Sequence, residues 1–298
     1  MIYTITTNPS LDYYLDIENL EIGKLNRSEK EEYDAAGKGV NVSKFLDILN
    51  IPSIALGFLG GYNKDFYLDL LSNHLEIQPQ FTFIKENTRI NVKINSKEET
   101  SLNGKGPSIA EEEYNKFSKR LLNVYSNDFV VLSGNIQKEL KSRIIDDVKK
   151  LIDENVKVVL DTDTDITSII SSSKPYMVKM DSNDIGKNEE DILRIGKEFI
   201  AKGIKYFLYS SYEAYSYLIE DGCYYKCSST IDGGIFFTGI SDAMIAGFIC
   251  CSNKGGNSEE CFRYANAVAT TVNVFEKKAD FSTVNKKFDS LIIERHEF

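Results

Sequence analysis

Short, nearly unbroken apolar runs alternate along the chain with stretches whose apolar residues recur every three or four positions. The runs MIYTITT, SIALGFLG, DFVVLSG, KVVLDTD, YMVKMD and KYFLYSS each have the length of a strand. A strand reads this way when both faces of its sheet are covered. Between them, VNVSKFLDILN, KDFYLDLLSN, AEEEYNKFSKRLLNVY, KELKSRIIDDVKKLIDE and NEEDILRIGKEFIAKG carry the helical period. The alternation predicts an α/β fold with a three-layer αβα core and a mostly parallel central sheet. After Ser211 the order changes. AYSYLIEDGCYYKCSS reads as a hairpin turning at Asp221-Gly222, and two helices follow, one from Asp242 and one around SEECFRYANAVATTVNVF.

Two segments do not fit the layered core. LDYYLDIENLEIGKLNRSEKEEYDA and TRINVKINSKEETSLNG alternate apolar and polar residues, as half-exposed strands do. They predict a small antiparallel β-sheet lid, built from about residues 11–34 and 87–105, that could close over a site. With no internal repeat, low-complexity tract or long linker, residues 1–298 are expected to form a single domain.

Composition narrows the function classes. The chain has 298 residues, 27% of them charged, and a formal net charge of -10. An acidic surface argues against a nucleic acid polymer as partner, although a local pair of cations could still hold one phosphate. Five cysteines show no repeated metal-type spacing and read as free thiols in a reducing compartment. Two histidines, one almost at the C-terminus, leave little room for a histidine-based triad or zinc site. No apolar run reaches membrane-spanning length, and the N-terminus reads as a first strand rather than a signal peptide, so a cytoplasmic location away from membranes is expected.

The candidate chemistry lies at strand ends and helix starts. In FFTGISDAMIAGF (Phe236 to Phe248), Thr238-Gly239 reads as a turn and Asp242 sits at the mouth of a buried helix. Asp242 is either a helix cap or a base beside an anion site made of helix N–H groups. In DAAGKGVNVSKFL, Gly37, Lys38 and Gly39 directly precede a helix. Glycine lets backbone approach a ligand, Lys38 adds a positive charge, and Asn41 hydrogen-bonds on two sides; an ordinary turn into a helix is the plainer alternative. TNPSLD ends the first strand with Asp12, a carboxylate suited to sugar hydroxyls or to capping a turn. TRIN places Arg89 and Asn91 on the lid, where arginine could grip a phosphate with two parallel N–H bonds or stand solvated.

Taken together, the order and spacing of these motifs resemble the ribokinase-like sugar kinases, the phosphofructokinase B family, and most closely their 1-phosphofructokinase and tagatose-6-phosphate kinase branch. The resemblance covers nearly the whole chain. It is carried by NPSLD, DAAGKGVNV, GFLGG, TRIN, NGKGP, LSGN and GISDAMIAGF. It implies ATP-dependent phosphorylation of a ketohexose monophosphate, such as fructose 1-phosphate or tagatose 6-phosphate, with Mg2+ as cofactor. Asp242 would be the general base, and Gly239, Ile240 and Ser241 the anion hole. Asp12, Gly37, Lys38, Gly39, Asn41, Arg89, Asn91, Asn103 and Asn135 would bind substrate. Lys179, Asp181, Ser210, Tyr212 and Asn266 would bind nucleotide, and Asp184 a metal. Lid strands in this fold can be shared between subunits, which implies a homodimer.

The nucleotide side departs from the family pattern. Ser241 replaces the second glycine of G-A-G-D, where a positive φ would strain it and tilt the N–H groups. Tyr212 and Tyr215 replace glycines in SSYEAY, KMDSND keeps Asp181 and Asp184 but loses an asparagine, and Ala36 replaces a glycine before Lys38. The alternative to a working kinase is a weak or inactive relative that binds a sugar phosphate as a sensor or partner protein.

Overall fold

The computed structural model describes residues 1–162, 169–211, 215–228, 239–271 and 281–298. Strands and helices are numbered along the chain. The large sheet runs from β15 (Ile293–Glu297) through β14 (Cys223–Ser228), β13 (Tyr215–Glu220), β12 (Tyr206–Ser210), β11 (Met177–Asp181) and β10 (Lys157–Asp161). It continues through β9 (Phe129–Ser133), β1 (Ile2–Thr6), β4 (Ser53–Gly60) and β5 (Ile77–Pro79), with β6 (Thr82–Ile84) also on β4. From β5 to β12 all pairings are parallel, whereas β12 to β15 pair antiparallel. Residues alternate between the two faces. Phe129 and Val131 join one core with Val42, Phe45 and Leu46, while Val130 and Leu132 join the other with Tyr114, Phe117 and Ile144.

Helices cover both faces, as the apolar strands require. α1 (Lys38–Ile48), α7 (Ile240–Asn253) and α8 (Ser258–Thr271) supply the first core. α3 (Glu111–Leu121), α4 (Lys141–Asp153) and α6 (Glu189–Ala201) supply the second. The remaining helices are α2 (Asn63–Leu71), the single turn α5 (Ser182–Ile185) and α9 (Phe281–Ser290). α7 is apolar all round, and every residue from Ile240 to Cys250 is buried, which is the pattern of a helix enclosed on all sides. Among the described residues no helix is long and apolar enough to cross a membrane.

The separate small sheet is four-stranded, in the order β3 (Lys30–Ala36), β2 (Ser10–Asp16), β7 (Arg89–Asn95), β8 (Thr100–Asn103). Its outer pairs are antiparallel, and its central pair, β2 with β7, is parallel. Register sorts its faces. Asp12 stands opposite Asn91, which stands opposite Asn103, while Tyr13, Val92, Leu102 and Tyr33 share the other face. Three strands escape the apolar pattern: β5, β6 and β15. β15 reads IERHE, and all but its first residue are exposed; it is an edge strand held by backbone pairing to β14, which leaves no periodic signal.

The start of α1 is fixed by contact with β1. An added Cβ on Gly39 would lie 2.6 Å from the Ile5 carbonyl oxygen and 2.7 Å from Thr6 Oγ1. Thr6 Oγ1 accepts the Val40 N–H at 3.0 Å. Gly39→Ala therefore forces helix and strand apart. It is expected to cost about 1–3 kcal/mol, the usual price of overpacking, read as a lower urea midpoint at unchanged m-value.

Candidate active site

The carboxyl ends of β1, β9, β10, β11 and β12 converge with the N-termini of α1 and α7. In an open parallel sheet this edge is where ligands bind. Gly37, with φ of 142°, and the tight Gly39 contact seat α1 against β1. Asn41, one turn into α1, then donates its side-chain amide to Asp242 Oδ2 at 3.0 Å. Asp242 is 3% exposed, and its Oδ1 has no hydrogen-bond partner. Burial, followed by the nearby charge of Asp161, pushes its pKa up to about 7; Lys38, the Asn41 hydrogen bond and Lys179 oppose the rise.

Gly239, at φ 97°, supplies the left-handed residue that opens α7. The first intrahelical bond runs from the Ala243 N–H to the Gly239 carbonyl at 2.9 Å. The N–H groups of Ile240, Ser241 and Asp242 precede it and lie outside the helix's own ladder, where an anion is favoured. The expected strain at Ser241 is absent. Ser241 is an ordinary helical residue, and the non-glycine residues at positive φ are Asn50, Asn127 and Asn155 among the described residues. The turn is made one step earlier, by Gly239. Ser241 Oγ is buried without a hydrogen-bond partner.

A chain of charges, buried except for the half-exposed Lys38, runs beside Asp242. Lys179, fully buried, lies 3.6 Å from Asp161 and 3.3 Å from Asp181, and Lys38 Nζ lies 3.9 Å from Asp161. Asp181 caps α5 by accepting the Asn183 N–H at 2.8 Å, and Asp184 returns by accepting the Asp181 N–H at 2.8 Å. Burial raises the Asp184 pKa. Asp161 did not stand out in the sequence, where it closes the apolar run KVVLDTD. The signal available was its place at the end of a parallel strand, the same argument that selected Asp12.

On the lid side, Asp12 Oδ1 accepts from Ser10 Oγ at 2.6 Å and from Asn91 Nδ2 at 2.8 Å. Burial lifts the Asp12 pKa, against these hydrogen bonds and Lys93. Arg89 ties the lid to the end of β1, donating to the Asn8 carbonyl at 3.0 Å and the Gly104 carbonyl at 3.3 Å. Its Nε is buried without a partner. Asn103 accepts from Lys93 at 3.4 Å, and the exposed Asn135 follows Gly134, its carbonyl accepting from Thr7 Oγ1 at 3.1 Å.

Asn266 adjoins the end of β12 through Ser216, the register partner of Ser210. The Asn266 amide is engaged inside the fold: Oδ1 accepts from Ser216 Oγ at 2.6 Å and Nδ2 donates to the Phe262 carbonyl at 2.8 Å. Tyr215 opens β13, and its hydroxyl donates to the Lys187 carbonyl at 3.0 Å. Ser210 closes β12 with its Oγ buried and unpartnered. Tyr212 lies outside the described residues.

Comparison with known proteins places this geometry. Phosphofructokinase-2 from Escherichia coli, in complex with substrates and products, has the same fold at a TM-score of 0.89, with 16% identity over 97% of this chain and 98% of that one. The fold is ribokinase-like. Residues 6–282 match the pfkB family carbohydrate kinase model, and the chain belongs to that family. It is 30% identical to the 1-phosphofructokinase of Bacillus subtilis over 88% of this chain and 89% of the relative. It is 27% identical to the D-tagatose-1-phosphate kinase of Bacillus licheniformis over 93% of each.

The Asp242 pKa gives a stability prediction. Its folded value, about 7, is above the ordinary aspartate value of 3.8. The folded state holds the proton more tightly, so the stability this group contributes is present at low pH and lost as pH rises through about 7. Asp242→Asn removes the buried charge. The variant is expected to melt at higher temperature than the parent at pH 8, with the gap shrinking below pH 6; an unchanged gap would refute the buried ionisation.

Proposed function

We propose that this sugar kinase transfers the γ-phosphoryl group of ATP to a hydroxyl of a ketohexose monophosphate, giving the bisphosphate and ADP. The observation that carries the reading is the unpartnered Oδ1 of Asp242 beside the N–H groups of the first turn of α7, which lie outside the helix's own ladder. The substrate hydroxyl gives its proton to Asp242 Oδ1 as its oxygen attacks the γ-phosphorus. The bond to the leaving ADP oxygen breaks on the opposite side. The N–H groups of Ile240, Ser241 and Asp242, with the Ser241 hydroxyl, donate to the oxygens that gain charge. Asp12 and Asn91 orient the sugar from the lid, and Arg89 and Lys38 read the phosphate it already carries. The names of the relatives, 1-phosphofructokinase and D-tagatose-1-phosphate kinase, support a substrate of this class.

A magnesium ion fits the acids at this edge. Among the described residues no cluster forms a complete protein cage for a metal, and Mg2+ bound to substrate phosphates needs only one or two carboxylates. Asp161, whose Oδ2 has no hydrogen-bond partner, and Asp184 would hold it. When bound, it would neutralise the nucleotide phosphates.

The apolar face of the lid supports pairing of two copies. Tyr13 stacks on Tyr33 at 4.4 Å, and Leu102, on the same face beyond Val92, is 58% exposed. A face of this kind is what a second lid would cover. Leu102→Glu is expected to shift sedimentation toward the monomer, and an unchanged sedimentation coefficient would remove the lid as the contact.

Three measurements test this reading. Asp242→Asn should lower kcat by about 100-fold or more, the usual contribution of a positioned base. For the parent, kcat/KM should climb as pH rises through about 7, because only the ionised carboxylate accepts the proton. A flat profile from pH 5.5 to 8.5 would exclude Asp242 as the base. Arg89→Ala should weaken sugar-phosphate binding by at least about 1.5 kcal/mol while sparing ATP. Calorimetry showing the loss on ATP instead would place Arg89 on the other ligand.

A further inference from the structure

The helix that carries Asp242 at its start carries Cys251 near its end. Cys251 is half-buried and lines an open cavity of about 480 Å³ together with Lys254, Glu260, Tyr264 and Phe288. Cys261, in the first turn of α8, is buried behind it. Gly256, in the connection between the two helices, locates both sulfurs. An added Cβ there would overlap Cys251 Sγ and lie 3.4 Å from Cys261 Sγ. The sulfurs thus flank one point, and the residue at that point has no side chain to separate them. The Cys261 sulfur also lies 3.4 Å from the Gly256 carbonyl oxygen.

The environments of the cysteines differ. A hydrogen bond from Cys261 holds the Cys251 thiol below its ordinary pKa, and Lys254 adds to that effect against burial and Glu260. The same contact, with burial, pushes Cys261 up. The adjacent Cys250 is fully buried, and burial raises its pKa. A thiol with thiolate character that faces a cavity and has a second thiol beside it is the arrangement that peroxides oxidise selectively.

We propose that Cys251 and Cys261 form a modification site, in which a hydroperoxide oxidises Cys251 and Cys261 resolves the product to a disulfide joining α7 to α8. The Cys251 thiolate attacks one peroxide oxygen, the O–O bond breaks, and the departing hydroxide takes a proton to become water. Cys251 is then a sulfenic acid. Cys261, losing its proton, attacks the Cys251 sulfur; the S–O bond breaks and the hydroxide leaves as a second water. In sum, two thiols and one hydrogen peroxide give one disulfide and two waters, with the peroxide reduced by two electrons.

The test uses the full chain treated with hydrogen peroxide. Thiols titrated in denaturant should fall from five by two, and dithiothreitol should restore them. Non-reduced tryptic mapping should join the peptide ending at Lys254 to the one that holds Cys261, with fragmentation placing the link on Cys251. Cys251→Ser should keep its four thiols through the same treatment. A link from Cys250, a stable sulfinic acid on Cys251 with Cys261 still free, or full retention of thiols in the parent would each overturn the proposal.

Discussion

A carboxylate removed from water at the head of a buried helix is the constraint on which the rest of this site depends. Burying Asp242 beside Asp161 brings two negative charges together where solvent cannot screen them. Lys38 and Lys179 make that arrangement tolerable. Each cation is held by a different element: Lys38 by the start of α1, Lys179 by β11. The glycines that seat α1 on β1 therefore act on electrostatics as much as on shape. Moving α1 outward would withdraw Lys38 and Asn41 from the acid together, and the balance of charges would fail before the packing did.

Legibility in the sequence followed the physics of each element. The parallel strands were readable because two covered faces demand unbroken apolar residues, as in SIALGFLG and DFVVLSG. The lid was readable because a sheet with one apolar face alternates. β5, β6 and β15 were not, since short edge strands are held by backbone hydrogen bonds that any side chain permits. In the site, Asp242, Lys38 and Asn41 announced themselves by neighbouring glycines and a helix start. Asp161 did not, because one acid at the end of an apolar run resembles any strand terminus until the fold sets it beside another acid. Ser241 shows the opposite error. A substitution judged against a family glycine suggested strain, but the conformation that needs glycine belongs to Gly239.

Half of the ten buried side-chain polar atoms without a hydrogen-bond partner among the described residues gather in one place. Ser241 Oγ, Asp242 Oδ1, Asp161 Oδ2, Ser133 Oγ and Ser210 Oγ belong to strand ends and to one helix start on the same edge of the sheet. Unsatisfied groups are costly in a folded protein. Their concentration here is what a site looks like when its hydrogen bonds are completed by a ligand rather than by the chain.

The parallel pairing of β2 with β7 bears on the order in which the molecule assembles. Antiparallel neighbours can zip from a local turn, but Asp12 and Asn91 are 79 positions apart. Their strands can meet only after β1, α1, β4 and the chain between them have collapsed, because the loop between the strands must close first. The β2–β7 pairing that completes the lid thus closes a longer loop than the local β2–β3 and β7–β8 pairs do. A chain released before β7 would carry Asp12 without Asn91, one of the two groups that hold its carboxylate, and with its apolar lid face open to other unfinished chains.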